Sequence, residues 1–126
     1  MAKIMIVDDS ETLRTQLRKV LHEAGHETVE AENGVVGLEQ FTATKDLQLI
    51  LCDVNMPEMD GLTMCEKLFN DAEYNDRKVP IFMLTTESSA EMKVRGKAVG
   101  VLAWVTKPFV EAKLLGAVTK VLARFA

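Results

Sequence analysis

Five short apolar runs, separated by stretches of helical spacing, constrain this chain more than any other feature of its sequence. The runs are Ile4–Val7, Thr28–Ala31, Leu47–Cys52, Pro80–Leu84 and Leu102–Val105. Four of the five lack an apolar/polar alternation, as expected of strands buried on both faces of a parallel sheet. Between the runs, Leu13, Leu17, Val20 and Leu21 recur at helical spacing, and Gly25 supplies a stop signal. Gly34–Thr42 reads as a second helix diluted by Gly34 and Gly37, and Leu62–Asn70 as a third. Ser88-Ser89-Ala90-Glu91 matches a capping box at the start of a fourth, with Ser88 accepting from the Glu91 amide and Glu91 reaching back. A fifth helix carries Val110, Leu114, Leu115, Val118, Val121, Leu122 and Phe125 on one stripe. The pattern predicts an α/β fold, (βα) five times over, as a doubly wound five-stranded parallel sheet with helices on both faces.

No repeat, linker or low-complexity tract interrupts this alternation, so residues 1–126 read as one domain. A chain of this length buries about two thirds of its unfolded surface, enough for one core without disulfides or a structural metal. Fifteen basic residues against nineteen acidic ones give a net charge of −4. That balance argues against nucleic acid as the main partner, because counterion release needs a basic surface. The apolar stretch before Asp8 is too short for a signal-peptide core, and no run approaches a membrane span. Cys52 and Cys65 form neither a disulfide framework nor a Cys-x-x-Cys site. They read as two buried small hydrophobes, which places the expected location in the reducing cytoplasm.

In a doubly wound sheet, ligands bind beyond the carboxyl ends of the strands. The first strand runs into Asp8 and Asp9, the third into Asp53, the fourth into Thr85 and Thr86, and the fifth into Thr106, Lys107 and Pro108. Three carboxylates on one edge repel one another unless a cation neutralises them. All-oxygen, hard ligands with room for water suit Mg²⁺ better than zinc. Val7-Asp8-Asp9-Ser10 has no glycine and the wrong charge for a backbone phosphate cradle. The edge therefore looks built for metal-assisted phosphoryl chemistry. Lys107 would supply a fixed positive charge for one phosphoryl oxygen and Thr85 a hydroxyl donor for another. A carboxylate can itself accept the phosphoryl group.

These residues fall in motifs that cover essentially the whole chain: Ile6-Val7-Asp8-Asp9-Ser10, Asp53-Val54-Asn55-Met56-Pro57 continuing to Gly61, Met83-Leu84-Thr85-Thr86-Glu87, and Val105-Thr106-Lys107-Pro108-Phe109. With them the sequence resembles the receiver domain of two-component response regulators, and most closely the stand-alone, CheY-like chemotaxis type. The resemblance implies the flavodoxin-like strand order 2-1-3-4-5. It implies that Asp53 is the phosphoacceptor, supplied by a histidine kinase of the chemotaxis type. Asp8, Asp9, Asp53 and the backbone carbonyl of Asn55 would hold Mg²⁺, with Thr85 and Lys107 on the phosphoryl group. Asn55 and Glu87 would tune acyl-phosphate hydrolysis, and the Lys107–Pro108 bond would be cis. Output would pass through the face formed by the fourth helix, fifth strand and fifth helix, where an aromatic residue turns inward on activation. Here that residue is Trp104 in place of the usual tyrosine, and Thr86 stands where the family often has a smaller side chain. The implied partners are the kinase, a flagellar motor switch protein or other output protein, and a phosphatase, with the chain itself a monomer.

Other signals compete with this reading. His22-Glu23-Ala24-Gly25-His26 has the zinc-protease spacing, but Gly25 ends the helix between the histidines. Asp53 to Met64 begins like a calcium loop, then places Pro57, Glu58 and Met64 where that loop fails. Lys93, Arg95 and Lys97 read as a solvated helix face or as a docking patch for an acidic partner. A small Mg²⁺-dependent phosphatase with an aspartyl intermediate wants Asp-x-Asp, whereas Asp8 and Asp9 are adjacent. A phosphate sink or relay intermediate keeps the receiver chemistry with a different role, and sequence leaves it open beside a motor-binding regulator.

Overall fold

Each apolar run becomes a strand in the computed structural model, which describes residues 1–125. In chain order the elements are β1 (Lys3–Val7), α1 (Glu11–Glu23), β2 (Glu27–Ala31), α2 (Gly34–Ala43), β3 (Leu47–Cys52), α3 (Gly61–Phe69), α4 (Ala72–Arg77), β4 (Ile81–Thr85), α5 (Ala90–Ala98), β5 (Val101–Thr106) and α6 (Glu111–Arg124). The strands pair in parallel throughout, in the order β2-β1-β3-β4-β5.

The period-two geometry of a strand divides the core in two. Met5, Val7, Ile50, Cys52, Ile81 and Met83 point to one face and pack with Phe41, Leu62, Met64, Cys65, Leu68 and Tyr74 from α2, α3 and α4. Ile4, Ile6, Leu49, Leu51, Phe82 and Leu84 point to the other and meet Leu17, Leu21, Leu114, Val118 and Val121 from α1 and α6. Apart from Lys3, Gln48 and Thr85, the three central strands therefore carry only apolar residues, which is why their sequences do not alternate. At the sheet edges, β2 and β5 carry partly exposed positions.

Short polar side chains start most helices by accepting a free backbone N–H of the first turn. Ser10, Asn33, Asp60, Asp71 and Ser89 do so for α1 to α5. The cap of α5 is therefore Ser89, bonded to the Met92 amide at 3.2 Å, and not Ser88. The helix starts at Ala90, which leaves Glu91 one position short of the third helical residue that a reciprocal bond requires. The α6 stripe is shorter than its sequence pattern. Leu114, Val118 and Val121 are buried, but Val110 precedes the helix and Phe125 follows it, and both are exposed.

The helix α4 has no counterpart in the periodicity. It is only six residues long and buries a single side chain, Tyr74, so it leaves no apolar stripe to read. Asp71 opens it, and Lys78 closes it in the left-handed conformation at φ 54°. The Tyr74 hydroxyl donates to the Val79 carbonyl at 2.8 Å, tying α4 to the entry of β4.

Burial pushes the Tyr74 phenol up from 10.0 to about 12. The neutral form is thus favoured in the folded chain. Its stabilising contribution is full below the unfolded value near 10.0 and is lost as pH rises towards about 12. Urea unfolding followed below, within and above that window is expected to show this extra alkaline loss in the wild type and not in Tyr74→Phe.

Candidate functional site

The parallel ladder continues one residue beyond three strands, and those residues form the site. The Asp8 amide donates to Ala31 O at 3.0 Å, Asp53 to Val7 O at 2.9 Å, and Lys107 to Thr85 O at 2.9 Å. Asp8, Asp53 and Lys107 are thereby fixed by backbone at the carboxyl edge of β1, β3 and β5. The Lys107–Pro108 peptide bond is cis.

The side chains converge. Lys107 Nζ donates to Asp8 Oδ2 at 2.8 Å and to Asp53 Oδ2 at 3.1 Å. The remaining carboxylate oxygens face backbone amides: Asp8 Oδ1 accepts from Ser10 at 2.8 Å and Asp53 Oδ1 from Val54 at 2.7 Å. Asp8 and Asp53 are only 2% and 7% exposed, so their charges depend on these partners rather than on water. Burial pushes the Asp8 carboxyl above the ordinary aspartate value, against the pull of the Lys107 ammonium and the Ser10 amide. For Lys107, burial alone would lower the pKa. The bonds and charges of Asp8 and Asp53 together outweigh it and hold the ammonium above the usual lysine value.

Asp9 is exposed beside this pair. One carboxylate oxygen from each of Asp8, Asp9 and Asp53 lies within 4.8 Å of the others. The donor set is all oxygen and triply acidic, with no histidine or thiolate, which fits Mg²⁺ and not zinc.

A second chain of contacts leaves the acids through the loop after β4. Thr85 is completely buried, and its hydroxyl accepts the Glu87 amide at 3.2 Å. The Glu87 carboxylate accepts from Asn55 Nδ2 at 2.6 Å, which joins the loops after β3 and β4. The Glu87 carbonyl accepts from Trp104 Nε1 at 2.6 Å. The indole lies against α5 where Gly96 leaves room, since a Cβ there would come within 2.9 Å of the ring. Thr86 is exposed and lines a cavity of about 730 Å³ with Lys107, Phe109 and residues of α1.

Two contributors escaped the sequence reading. Gly61 starts α3 directly against the loop that follows Asp53, and its amide donates to Val54 O at 2.8 Å. A Cβ at this position would overlap the Asp53 carbonyl oxygen, so the glycine that ends the Asp53 motif is a close-approach residue. Arg14 donates to the main-chain carbonyl of Asp8 at 2.6 Å. Its signal was faint, an arginine in the first turns of α1 with no motif of its own.

The competing motifs dissolve into ordinary contacts. His22 Nε2 pairs with Thr28 Oγ1 at 3.0 Å, whereas His26 Nδ1 accepts from the Ala2 amide at 3.1 Å. Asp60 caps α3 and Met64 is buried in the core, so the segment from Asp53 encircles no calcium site.

Comparison with known proteins agrees with this arrangement. Residues 4–119 match the response regulator receiver domain. The chain is 37% identical over 108 residues to the chemotaxis protein CheY1 of Helicobacter pylori, covering 85% of this chain and 86% of that one. It is equally 37% identical to the protein PilH of Pseudomonas aeruginosa, over 98% of this chain and 99% of the relative. The crystallised chemotaxis protein CheY4 of Vibrio cholerae superposes with a TM-score of 0.87 at 38% identity, covering 96% and 98% of the two chains. The protein belongs to the response regulator receiver family and is a signalling module of the CheY-like type.

Gly61→Ala is expected to destabilise the fold by about 3 kcal/mol, because backbone and not a flexible side chain must move. Denaturant unfolding checks this, with Gly116→Ala, which meets no neighbouring atom within 4 Å, as the reference.

Proposed function

We propose that this protein accepts a phosphoryl group on Asp53 from a phosphohistidine of a histidine kinase and thereby changes its affinity for an output protein. The observation that carries this reading is the Lys107 ammonium bridging Asp8 and Asp53 amid three acids at one sheet edge. Asp8, Asp9, Asp53 and the Asn55 main-chain carbonyl would hold Mg²⁺, which neutralises phosphoryl oxygens during transfer. An Asp53 carboxylate oxygen attacks phosphorus as the P–N bond breaks, and the imidazole leaves. Lys107, already within hydrogen-bond distance of Asp53, takes a phosphoryl oxygen in place of its carboxylate contact. The Thr85 hydroxyl turns from the Glu87 amide to donate to another. Asn55 and Glu87 flank the group and limit how water reaches it, with Thr86 at the rim.

Release of the Glu87 amide by Thr85 gives the signal a route outward, because Trp104 hangs on the Glu87 carbonyl. The output face is α5, β5 and α6. It holds a groove of about 540 Å³ floored by Val101, Leu102, Ala103 and Trp104 and flanked by Lys93 and Lys97. Arg95 is instead engaged by Glu66 of α3 at 2.7 Å. The chemotaxis proteins among the relatives support a role in chemotaxis; on that reading we infer a flagellar motor switch protein as output partner and the cytoplasm as location. Among the described residues no helix is long and apolar enough to cross a membrane.

Intact mass after incubation with acetyl phosphate tests the chemistry. One labile phosphoryl group is expected with Mg²⁺, and none without it or in Asp53→Asn. Lys107→Ala is expected to accept the group and to lose the accompanying Trp104 fluorescence change. A gain independent of Asp53 would overturn the assignment.

A further inference from the structure

Arg14 stands behind the acid cluster without entering it. Its Nη1 donates to the Asp8 main-chain carbonyl at 2.6 Å, and its Nε donates to Glu30 Oε1 on β2 at 3.1 Å. The other Glu30 oxygen accepts from Arg18 Nη1 at 2.7 Å. The Arg14 side chain is 15% exposed and Glu30 27%, so the fork is largely shielded from water. The carbonyl it holds belongs to the peptide joining Asp8 to Asp9. That peptide lies beyond the last residue of β1, where the ladder no longer fixes it on both sides. Holding that carbonyl restricts rotation about the Asp8 Cα–C bond, the torsion that sets the direction in which the chain carries Asp9 away from β1.

We propose that Arg14 is a positioning residue for divalent-cation binding. Anchored by Glu30, it locks the Asp8–Asp9 peptide so that the two adjacent carboxylates meet Asp53. The proposal rests on the reading of Asp8, Asp9 and Asp53 as a Mg²⁺ site. Partners that orient metal ligands from behind commonly change metal affinity 10- to 100-fold when removed. Electrostatics alone predicts the opposite sign, since deleting a nearby positive charge favours a bound cation. Charge and position are therefore separable in one measurement.

Arg18 provides the internal control. It pairs with the same glutamate and carries the same charge, but bonds no atom of the acid loop among the described residues. Mg²⁺ titrations of the full chain, followed by the amide NMR shifts of residues 8–10, would compare wild type, Arg14→Met, Arg14→Lys and Arg18→Met. Thermal unfolding of each without Mg²⁺ separates folding from binding. Arg14→Met is expected to weaken Mg²⁺ about tenfold or more. Arg14→Lys, which keeps the charge and loses the two-pronged geometry, is expected to recover little of it. Arg18→Met is expected to stay within about twofold of wild type, a difference well below the tenfold step of 1.4 kcal/mol. Unchanged or tighter binding in Arg14→Met, or an equal loss in Arg18→Met, would overturn the proposal. Should Arg14→Met not fold, Arg14→Lys alone decides, with wild-type affinity the overturning result. A wild-type chain that does not titrate at all would instead remove the Mg²⁺ site itself.

Discussion

The Lys107 ammonium holds together what β1 and β3 would otherwise push apart. Adjacent parallel strands place Asp8 and Asp53 side by side, nearly dry, and two buried carboxylates in that position repel strongly. The sheet order supplies the remedy from a distance. Lys107 follows β5, which is separated from β3 by β4, two strand spacings or about 10 Å. A long side chain reaching back over the end of β4 can cross that gap. The strand it crosses must end in something short, and Thr85 does. The strand order thus dictates a lysine on the far strand and a small polar residue between.

Fixing the charges requires more than the ion pair. Each buried carboxylate has a second oxygen, and a buried group left unpaired costs more than a hydrogen bond contributes. Ser10 and Val54 amides take those oxygens, Arg14 takes the Asp8 carbonyl, and Gly61 lets α3 approach the Asp53 carbonyl. The acids are therefore held from below by the ladder and from the sides by loop amides. The exposed Asp9 is the one acid on the open side. One fixed cation, the Lys107 ammonium, is thus already in place among three acids, and the acidic charge it leaves unpaired lies towards the open side.

Periodicity makes the sheet legible because every central strand is covered on both faces, so nearly all of its residues are apolar. Strand ends made the acids, Thr85 and Lys107 legible, since a polar residue straight after such a run has a single edge to occupy. What escaped lacks a period. The helix α4 buries only Tyr74, and its start depends on an Asp71 cap that looks like any loop aspartate. The sequence pattern places the α5 cap at Ser88, one residue early, because Ser88 and Ser89 are chemically equivalent and only the backbone decides between them. Arg14 and Gly61 act through main-chain atoms of residues six and eight positions earlier, Asp8 from across a turn and Asp53 from across a loop. No spacing rule records such contacts.

Trp104 shows how a large aromatic side chain is tied into a backbone network. An indole only donates hydrogen bonds, through a single N–H. Here it donates to the Glu87 carbonyl, while Gly96 removes the side chain that would collide with the larger ring. Glu87 is thereby engaged three ways: amide to Thr85, carboxylate to Asn55, carbonyl to Trp104. Amide and carbonyl belong to one residue, so redirecting the Thr85 hydroxyl removes a restraint on the same backbone that holds the indole. In the proposed switch the aromatic ring would not need to swing through the protein to respond, because a shift in the Glu87 backbone would itself change what the indole is bonded to. Exchanging one hydrogen-bonded arrangement for another differs by little free energy. On the proposed switch the coupling would be the about 1–3 kcal/mol typical of allosteric linkage, a bias of populations and not a single imposed state.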